Sequence, residues 1–211
     1  MTGDIIFMMN TSTRDRMIAG AADLLRRKGM TATSMREVVR YSNTPRGSIA
    51  HHFPGGKRQL LEAAVEHAGR EVSEPLAQLL GKHGPVKGLK LFVALWRSTL
   101  EETAFQAGCA VLAVAVEQYA SDQRGESETE LEAQIQLQLL DQANGIFVQW
   151  QEIISHSLQE AGVADIRSRS LALLAIASIE GSVALCRAAR SVEPLDLIWQ
   201  ELQRSFEREL T

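Results

Sequence analysis

The most constraining feature of the sequence is residues 33–57, TSMREVVRYSNTPRGSIAHHFPGGK, which carry signals for two short helices joined by a tight turn. Ser34 stands before the first helix with Glu37 three residues on, so the two side chains can bond each other's free backbone N–H groups in a capping box. Asn43 tolerates the left-handed conformation that a tight turn requires. The stretch is therefore predicted to be a helix-turn-helix.

The second helix of this stretch is predicted to run from Pro45 to His52, with Thr44 as its N-cap. At roughly 100° per residue, Ile49 and Phe53 point to the protein interior. The opposite face carries small or hydrogen-bonding residues: Gly47, Ser48, Ala50 and His51. Such a face lets a helix backbone approach base edges in the major groove of DNA, so this helix is the predicted recognition helix.

A phosphate contact is predicted directly after the recognition helix. Residues 54–56, Pro-Gly-Gly, end that helix, and Lys57 opens the next, where free backbone N–H groups and a cation together favour a phosphate. The adjacent histidines of the stretch point about 100° apart and have no third ligand nearby, so a metal site is not predicted. The full predicted set of DNA contacts is Ser34, Arg36, Thr44, Pro45, Arg46, Gly47, Ser48, Ala50, His51, His52 and Lys57.

The charge of the chain is unevenly distributed. Residues 1–60 hold ten Lys and Arg against four Asp and Glu, whereas residues 61–211 hold twelve against twenty-two. A basic first quarter suits neutralisation of phosphates, and an acidic remainder should face away from DNA. The alternative is that the cations of residues 26–28 only stabilise a helix C terminus. That alternative does not account for the cations at Arg36, Arg40, Arg46, Lys57 and Arg58.

From Arg14 to Leu61 the sequence resembles the tetracycline-repressor (TetR) family of bacterial transcription regulators. Residues 45–57 reproduce the form PRGSIYHHFPGGK of one subgroup, with Ala50 in place of its aromatic residue. The resemblance implies an all-α protein in which an N-terminal three-helix helix-turn-helix domain precedes a helical-bundle regulatory and dimerisation domain. It also implies a homodimer that binds an operator in double-stranded DNA and a small-molecule effector. The missing aromatic ordinarily touches the DNA backbone in this family, so Ala50 bears on affinity.

The domains are predicted to be a flexible N-terminal tail at 1–12, the DNA-binding domain at 13–60, and an effector-binding and dimerisation domain at 61–211. With 211 residues and 45% hydrophobic content, the chain can bury a substantial core. Its two cysteines have neither a pairing pattern nor metal spacing, which suits a reducing cytoplasm. The apolar patch at 5–9 is too short for a signal peptide or membrane span, so no membrane association is predicted. No cofactor is predicted either.

The remaining periodicity predicts further helices and no strand. An amphipathic helix from Arg14 to Lys28 ends at Gly29, and the helix opened by Lys57 should continue into the second domain until a Gly- and Pro-rich break at 81–85. Later helices are predicted at Val86–Glu102, Ala110–Tyr119, Glu130–Ala161, Ser168–Arg190 and Pro194–Leu210, with a polar, acidic loop at Ser121–Thr129. The helix Ala110–Tyr119 is almost wholly apolar and is expected to be buried on all sides.

Two sets of residues in the second domain are candidates for binding. Aromatic and polar side chains on the helices that would surround an effector cavity are Phe92, Trp96, Phe105, Cys109, Phe147, Trp150 and Glu180. Aromatic residues there suit a planar or apolar effector, although core packing explains them equally well. Glu180 is the one charge in the apolar run 171–185, so it is expected either to bond an effector or to be paired inside the protein.

The helix Ser168–Arg190 has more apolar surface than one core can bury, which predicts an interface with a second copy of the chain. Its residues Leu171, Leu174, Ser178 and Leu185 are expected to point inward. The predicted dimer contacts are Leu173, Ile176, Val183, Ala184, Trp199, Leu202 and Phe206. The alternative is that this is an interior helix of a monomer.

The sequence thus predicts a DNA-binding transcription regulator, a repressor released from its operator by a small molecule. No nucleophile elbow, acid pair or Cys/His dyad is present, so catalysis is not expected. The alternative is a helical ligand-binding or enzymatic bundle with weak or lost DNA binding, for which Ala50 is the sequence argument.

Overall fold

The computed structural model describes residues 12–120 and 129–210, and within these two ranges the chain is helical or turns between helices, with no strand. The helices are α1 (Thr13–Lys28), α2 (Met35–Tyr41), α3 (Ser48–His52), α4 (Gly56–Glu102), α5 (Ala110–Val116), α6 (Thr129–Glu160), α7 (Asp165–Ala189) and α8 (Glu193–Glu207). This confirms the predicted all-α class. The predicted tail at 1–12, apart from its last residue, and the predicted acidic loop, apart from Thr129, lie outside the described residues.

Helices α1, α2 and α3 pack with the start of α4 into the predicted DNA-binding domain. Helix α1 is capped at its N terminus by Ser12, whose hydroxyl accepts from the Asp15 N–H at 3.1 Å, and at its C terminus by Gly29 with φ of 79°. That positive φ is costly for a residue with a Cβ, so glycine is the suitable stop. The inward face of α1 packs Met17 and Leu24 completely out of solvent.

Helix α4 connects the DNA-binding domain to the regulatory domain without a linker and then reverses direction at Gly84. Gly84 has φ of 73°, so the predicted break is a single residue inside an otherwise helical run. Pro85 follows it, where a fixed φ and a missing N–H suit a helix start. A Cβ on Gly88 would lie 2.7 Å from the Leu79 carbonyl oxygen, so the two halves of α4 form a close hairpin.

The predicted regulatory domain is a bundle in which α6 packs against α4 and α7, and α8 packs against α7 and α4. Trp150 of α6 is buried, and its indole N–H points to the Gly69 carbonyl at 3.4 Å. Helix α5 is short and ends at Val116 instead of Tyr119. The expectation that it is buried on all sides is wrong, because Val116 is 72% exposed.

Candidate nucleic-acid interface

The helix-turn-helix is held by short-range hydrogen bonds. The Ser34 hydroxyl accepts from the Glu37 N–H at 3.2 Å, which is one of the two bonds of the predicted capping box. Asn43 has φ of 50°, the left-handed conformation expected at the turn. The Ser42 hydroxyl donates to the Val38 carbonyl at 2.7 Å and closes the end of α2. These contacts fix the angle at which the next helix leaves the domain.

The recognition helix is shorter than predicted. Thr44 does not cap it, because its buried hydroxyl lies 3.0 Å from the Ser42 hydroxyl. Residues 45–47 instead form a turn in which the Ser48 N–H donates to the Pro45 carbonyl at 3.1 Å, and Gly47 precedes the first helical residue. Helix α3 therefore starts at Ser48, and the buried Thr44 side chain is withdrawn from the predicted DNA-contacting set.

The faces of α3 follow the helical period. Phe53 is buried beneath it, with the Arg14 guanidinium 5.3 Å from the centre of its ring, and Ile49 packs against the core. On the other side Gly47, Ala50 and His51 are exposed. A Cβ placed on Gly47 would meet no atom of the described structure within 4 Å, so the space beside this residue is open.

Exposed cations border the recognition helix. Arg36 and Arg46 are exposed, and neither forms an ion pair with an acidic side chain of the described residues. Arg40 and Lys28 differ, because both donate to the Glu37 carboxylate, at 2.6 and 3.1 Å. These two donors lower the pKa of Glu37 to about 2. Arg36 and Arg46 are therefore the cations of this face whose charge is not offset by a bonded carboxylate.

The predicted phosphate contact of Lys57 does not agree with the position of its ammonium at the start of α4. Lys57 is 6% exposed, and its ammonium donates to the Ala120 carbonyl at 2.8 Å and lies 5.7 Å from the ring centre of Tyr119. A carbonyl oxygen and an aromatic face stabilise a desolvated cation, which explains its burial in this arrangement. The side chain joins the DNA-binding domain to the regulatory domain instead of facing solvent.

Residues 117–120, termed here the bridging segment, contact both domains. The Glu117 carboxylate accepts from the backbone N–H groups of Met30 and Thr31, at 2.7 and 3.3 Å. On the other side, the Gln136 side chain of α6 donates to the Glu117 carbonyl at 3.1 Å and accepts from the Tyr119 N–H. The segment therefore links the end of α1 to α6. Sequence reasoning missed Glu117, because an acidic residue after an apolar helix gives no sign of a distant partner.

A second connection satisfies the carbonyl groups at the C terminus of α1. The Gly108 N–H donates to the Arg26 carbonyl at 2.8 Å. Arg187 of α7 donates to the carbonyls of Arg27 and Gln106, at 3.3 and 3.0 Å. A Cβ on Gly108 would lie 2.9 Å from the Arg187 guanidinium, so glycine permits this approach. The orientation of the DNA-binding domain is thus set by bonds to its backbone.

The predicted effector residues fall into separate places. Phe92, Trp96 and Cys109 line one cleft of about 320 Å³ between α1 and α4. Phe147 and Trp150 instead pack edge to face, with ring centres 5.3 Å apart, and do not line this cleft. Phe105 packs against the core in the connection after α4. The structure therefore brings together only part of the predicted set.

Glu180 is buried beside Cys109. The Cys109 side chain is close enough to influence its carboxyl group, and the Oε2 atom has no hydrogen-bond partner in the described structure. Burial raises the pKa of Glu180 to about 7, although the thiol partly opposes this shift. Burial likewise raises the pKa of the Cys109 thiol well above its ordinary value. Both roles considered for Glu180, a bond to an effector and pairing inside the protein, stay predictions.

Helix α7 carries an apolar face that residues 12–120 and 129–210 leave uncovered. Leu173, Leu174 and Leu185 are each about half exposed, and Ala177 and Ala184 between them are exposed. This helix is also long and apolar enough to cross a membrane, but half of its most apolar stretch is buried in the protein. A core helix with one uncovered apolar face has the same composition, so this is weak evidence for a membrane span.

The predicted orientation of α7 needs correction. Leu174 and Leu185, expected to point inward, are exposed, whereas Ile176 and Val183, expected at an interface, are buried. A helix that is apolar on several sides gives no sequence signal for which side faces the core. Of the other predicted interface residues, Leu173 and Ala184 are exposed, Trp199 is partly exposed, and Leu202 and Phe206 are buried.

Comparison with known proteins identifies both parts of the chain. Residues 17–64 match the family described as bacterial regulatory proteins, tetR family, and residues 85–201 match the C-terminal domain of LmrA/YxaF-like transcriptional regulators. The chain is 36% identical over 200 residues to the helix-turn-helix regulator Rv0196 of Mycobacterium tuberculosis, covering 93% of this chain and 95% of that protein. It is 24% identical over 186 residues to the regulator LmrA of Bacillus subtilis, covering 87% and 90%.

A solved structure with the same fold is a TetR transcriptional regulator from Chloroflexus aurantiacus, with a TM-score of 0.71 and 26% identity over 93% of this chain and 95% of that one. A regulatory protein TetR from Rhodobacter sphaeroides has a TM-score of 0.76 and 19% identity, covering 92% and 99%. The chain therefore belongs to the tetR family of bacterial transcriptional regulators.

Proposed function

We propose that this TetR-family regulator is a cytoplasmic homodimer that represses transcription by binding an operator in double-stranded DNA and releases it when a small molecule binds the regulatory domain. The observation that carries the proposal is the open face of α3, which lies next to cations without bonded carboxylates. A basic, unobstructed helix face is the arrangement required for entry into a major groove.

The residues of this face divide the work of recognition. Gly47 and Ala50 are small enough for the helix backbone to come close to base edges, and Ser48 and His51 supply hydrogen-bonding groups. Arg46, in the turn before α3, reaches phosphates, with Ser34, Arg36, Pro45 and His52 at the border of the face. Phosphate contacts fix the register of the helix, and base contacts supply the sequence preference.

Dimerisation places two such faces on one operator. Reading two half-sites about one DNA turn apart requires two recognition helices related by a two-fold axis. The uncovered face of α7 supports a second copy as its occupant, because Leu173, Leu174 and Leu185 are apolar and the alanines between them permit close helix approach. Leu197 of α8 is about half exposed and extends the apolar surface.

Coupling between effector and operator follows from the connections at the domain boundary. Helix α4 is shared by both domains, and the bridging segment bonds α1 on one side and α6 on the other. A ligand that prefers the orientation of the DNA-binding domain that does not fit the operator shifts the population toward that orientation. It weakens DNA binding by its difference in affinity between the two orientations.

The test is DNA binding by an Arg46→Ala variant, measured by fluorescence anisotropy with DNA from upstream of the protein's own gene over a range of salt concentrations. Loss of one phosphate contact should weaken binding to all sequences and reduce the salt slope by about one unit per half-site. The matched control is Arg70→Ala, because Arg70 is exposed on α4 outside the DNA-binding domain and is paired with Glu66 at 2.6 Å. Failure of the wild-type protein to bind any DNA at low salt would favour the ligand-binding or enzymatic bundle.

A further inference from the structure

The cleft that contains Phe92 and Trp96 lies at the boundary between the two domains. Its volume is about 320 Å³. Small-molecule sites in proteins have volumes from about 300 Å³ upward, so this cleft is near the lower end of their range. One wall is formed by Ala22 and Arg26 of α1, and the other walls come from α4 and the start of α5. A molecule in this cleft therefore touches the DNA-binding domain directly, which a molecule inside the regulatory bundle would not do.

The chemistry of the cleft favours an aromatic, mainly apolar molecule. Phe92 and Trp96 form its interior and are almost fully buried, while Leu95 is 46% exposed at the edge. The aromatic side chains of α6 cannot offer a comparable space, because Trp150 is fully enclosed and packs against Phe147. The open apolar volume thus lies beside α1.

The polar groups of the cleft carry opposite charges. The Arg26 guanidinium bonds Asp23 through its Nε atom at 2.7 Å, and the Glu71 carboxylate lies 3.5 Å from the His67 imidazole. The Thr99 hydroxyl donates to the Leu95 carbonyl at 3.0 Å and can still accept a bond. A guanidinium and a carboxylate at one opening suit a ligand without net charge that has both a donor and an acceptor.

We propose that this cleft binds a small, uncharged aromatic molecule with a hydroxyl or similar polar group, and that α1 serves as one wall of the effector site. This inference rests on the proposed function, since it names the ligand class and the location of that function's effector. A ligand in this cleft would lie next to a hydrogen bond that joins the two domains. Gly108 lines the cleft, and its N–H donates to the Arg26 carbonyl at the end of α1.

The binding test uses 2-naphthol as the probe and the tryptophan indole N–H signals of the ¹⁵N-labelled full chain as reporters. The chain has three tryptophans, and only Trp96 lines the cleft. Saturable movement of the Trp96 signal, with Trp150 and Trp199 unchanged, is expected. No movement, or equal movement of all three signals, overturns the site. Tighter binding of 2-naphthoate than of 2-naphthol overturns the uncharged ligand class.

A pair of neighbouring substitutions locates the probe. Thr99→Phe places a ring in the cleft and should weaken 2-naphthol binding about tenfold or more. Ser98→Phe adds the same ring one position away, where Ser98 is exposed and does not line the cleft, and should leave binding unchanged. Equal affinities of the two variants would overturn the location.

The coupling test repeats the 2-naphthol titration with DNA from upstream of the protein's own gene. Linkage requires that a ligand which weakens DNA binding is itself bound more weakly by the DNA complex, by the same factor. Equal affinity with and without DNA overturns the role of α1 as a moving wall. Intact DNA binding without any response to 2-naphthol overturns the cleft site and leaves the regulator standing. Probe binding at Trp96 without DNA binding supports the site and contradicts the regulator.

Discussion

Replacing Glu180 with glutamine should remove a pH dependence from the stability of the protein. Glu180 is 7% exposed, its Oε2 atom has no hydrogen-bond partner in the described structure, and its charge is not offset by a cation. Burial disfavours the carboxylate and raises the pKa from 4.5 to about 7 in the folded state. In the unfolded chain the same carboxyl returns to its ordinary value.

The sign follows from proton binding. Below the unfolded pKa of 4.5 both states hold the proton, and above the folded value of about 7 both have lost it. Between these values the folded state keeps a proton that the unfolded state has released, so the free energy of unfolding falls as pH rises through this window. A pKa shift of this size lowers the free energy of unfolding by about 3 kcal/mol between the two pKa values. Above the folded pKa, the contribution of Glu180 to the free energy of unfolding stays constant.

Glutamine cannot ionise, so Glu180→Gln should lack this decrease while keeping the size of the side chain. Urea unfolding followed by tryptophan fluorescence from about pH 5 to about pH 8 gives the free energy of unfolding at each pH. Relative to wild type, the variant should gain up to about 3 kcal/mol as pH rises. Protein concentration is held constant, because a dimer's apparent stability depends on it.

The control is Glu152→Gln, which changes an exposed carboxyl of α6 and should follow the wild-type pH dependence. If the curves of Glu180→Gln and wild type run parallel across the window, Glu180 is ionised in the folded state. The argument from burial would then be refuted, and water or an unrecognised partner must reach its carboxylate.

Three further substitutions test other parts of the structure. Glu117→Ala leaves two backbone N–H groups of the DNA-binding domain without their acceptor, so calorimetry should show a loss of about 1–3 kcal/mol in stability. Leu173→Glu places a charge on the uncovered face of α7 and should give monomers in sedimentation, whereas Leu137→Glu, equally exposed on α6, should not. Ala50→Tyr should tighten operator binding by about 0.5–1.5 kcal/mol per half-site through a phosphate bond, and weaker binding to the native operator would show instead that Ala50 excludes a ring.

Features governed by neighbouring residues could be predicted from the sequence. The cap at Ser34, the left-handed turn at Asn43 and the glycine stop at Gly29 each depend on backbone groups only a few residues away. The continuity of α4 into the second domain was also predictable, because its apolar period runs on without interruption from Leu60. These local signals were sufficient for the all-α class and for the helix-turn-helix.

Choices between equivalent partners could not be predicted. Thr44 has the chemistry of an N-cap, but its hydroxyl bonds Ser42 instead, which delays the start of α3 to Ser48. The side of α7 that faces the core could not be predicted either. Its period fits more than one orientation, and packing against α6 and α8 decides that Val183 is inside and Leu185 outside.

The contacts that orient the DNA-binding domain are the least visible in the sequence, because their acceptors and donors are backbone groups far away along the chain. Lys57 is separated from Ala120 by 63 residues, and Glu117 from Met30 by 87. A basic residue at a helix start resembles a phosphate contact whether or not it is buried, so composition and spacing cannot distinguish the two roles. The distinction has a physical consequence. Movement of the bridging segment away from α4 breaks the hydrogen bond between the Lys57 ammonium and the Ala120 carbonyl, and the loss of a bond to a buried charge is costly. The orientation of the DNA-binding domain is therefore stabilised by the very cation that the sequence assigns to DNA.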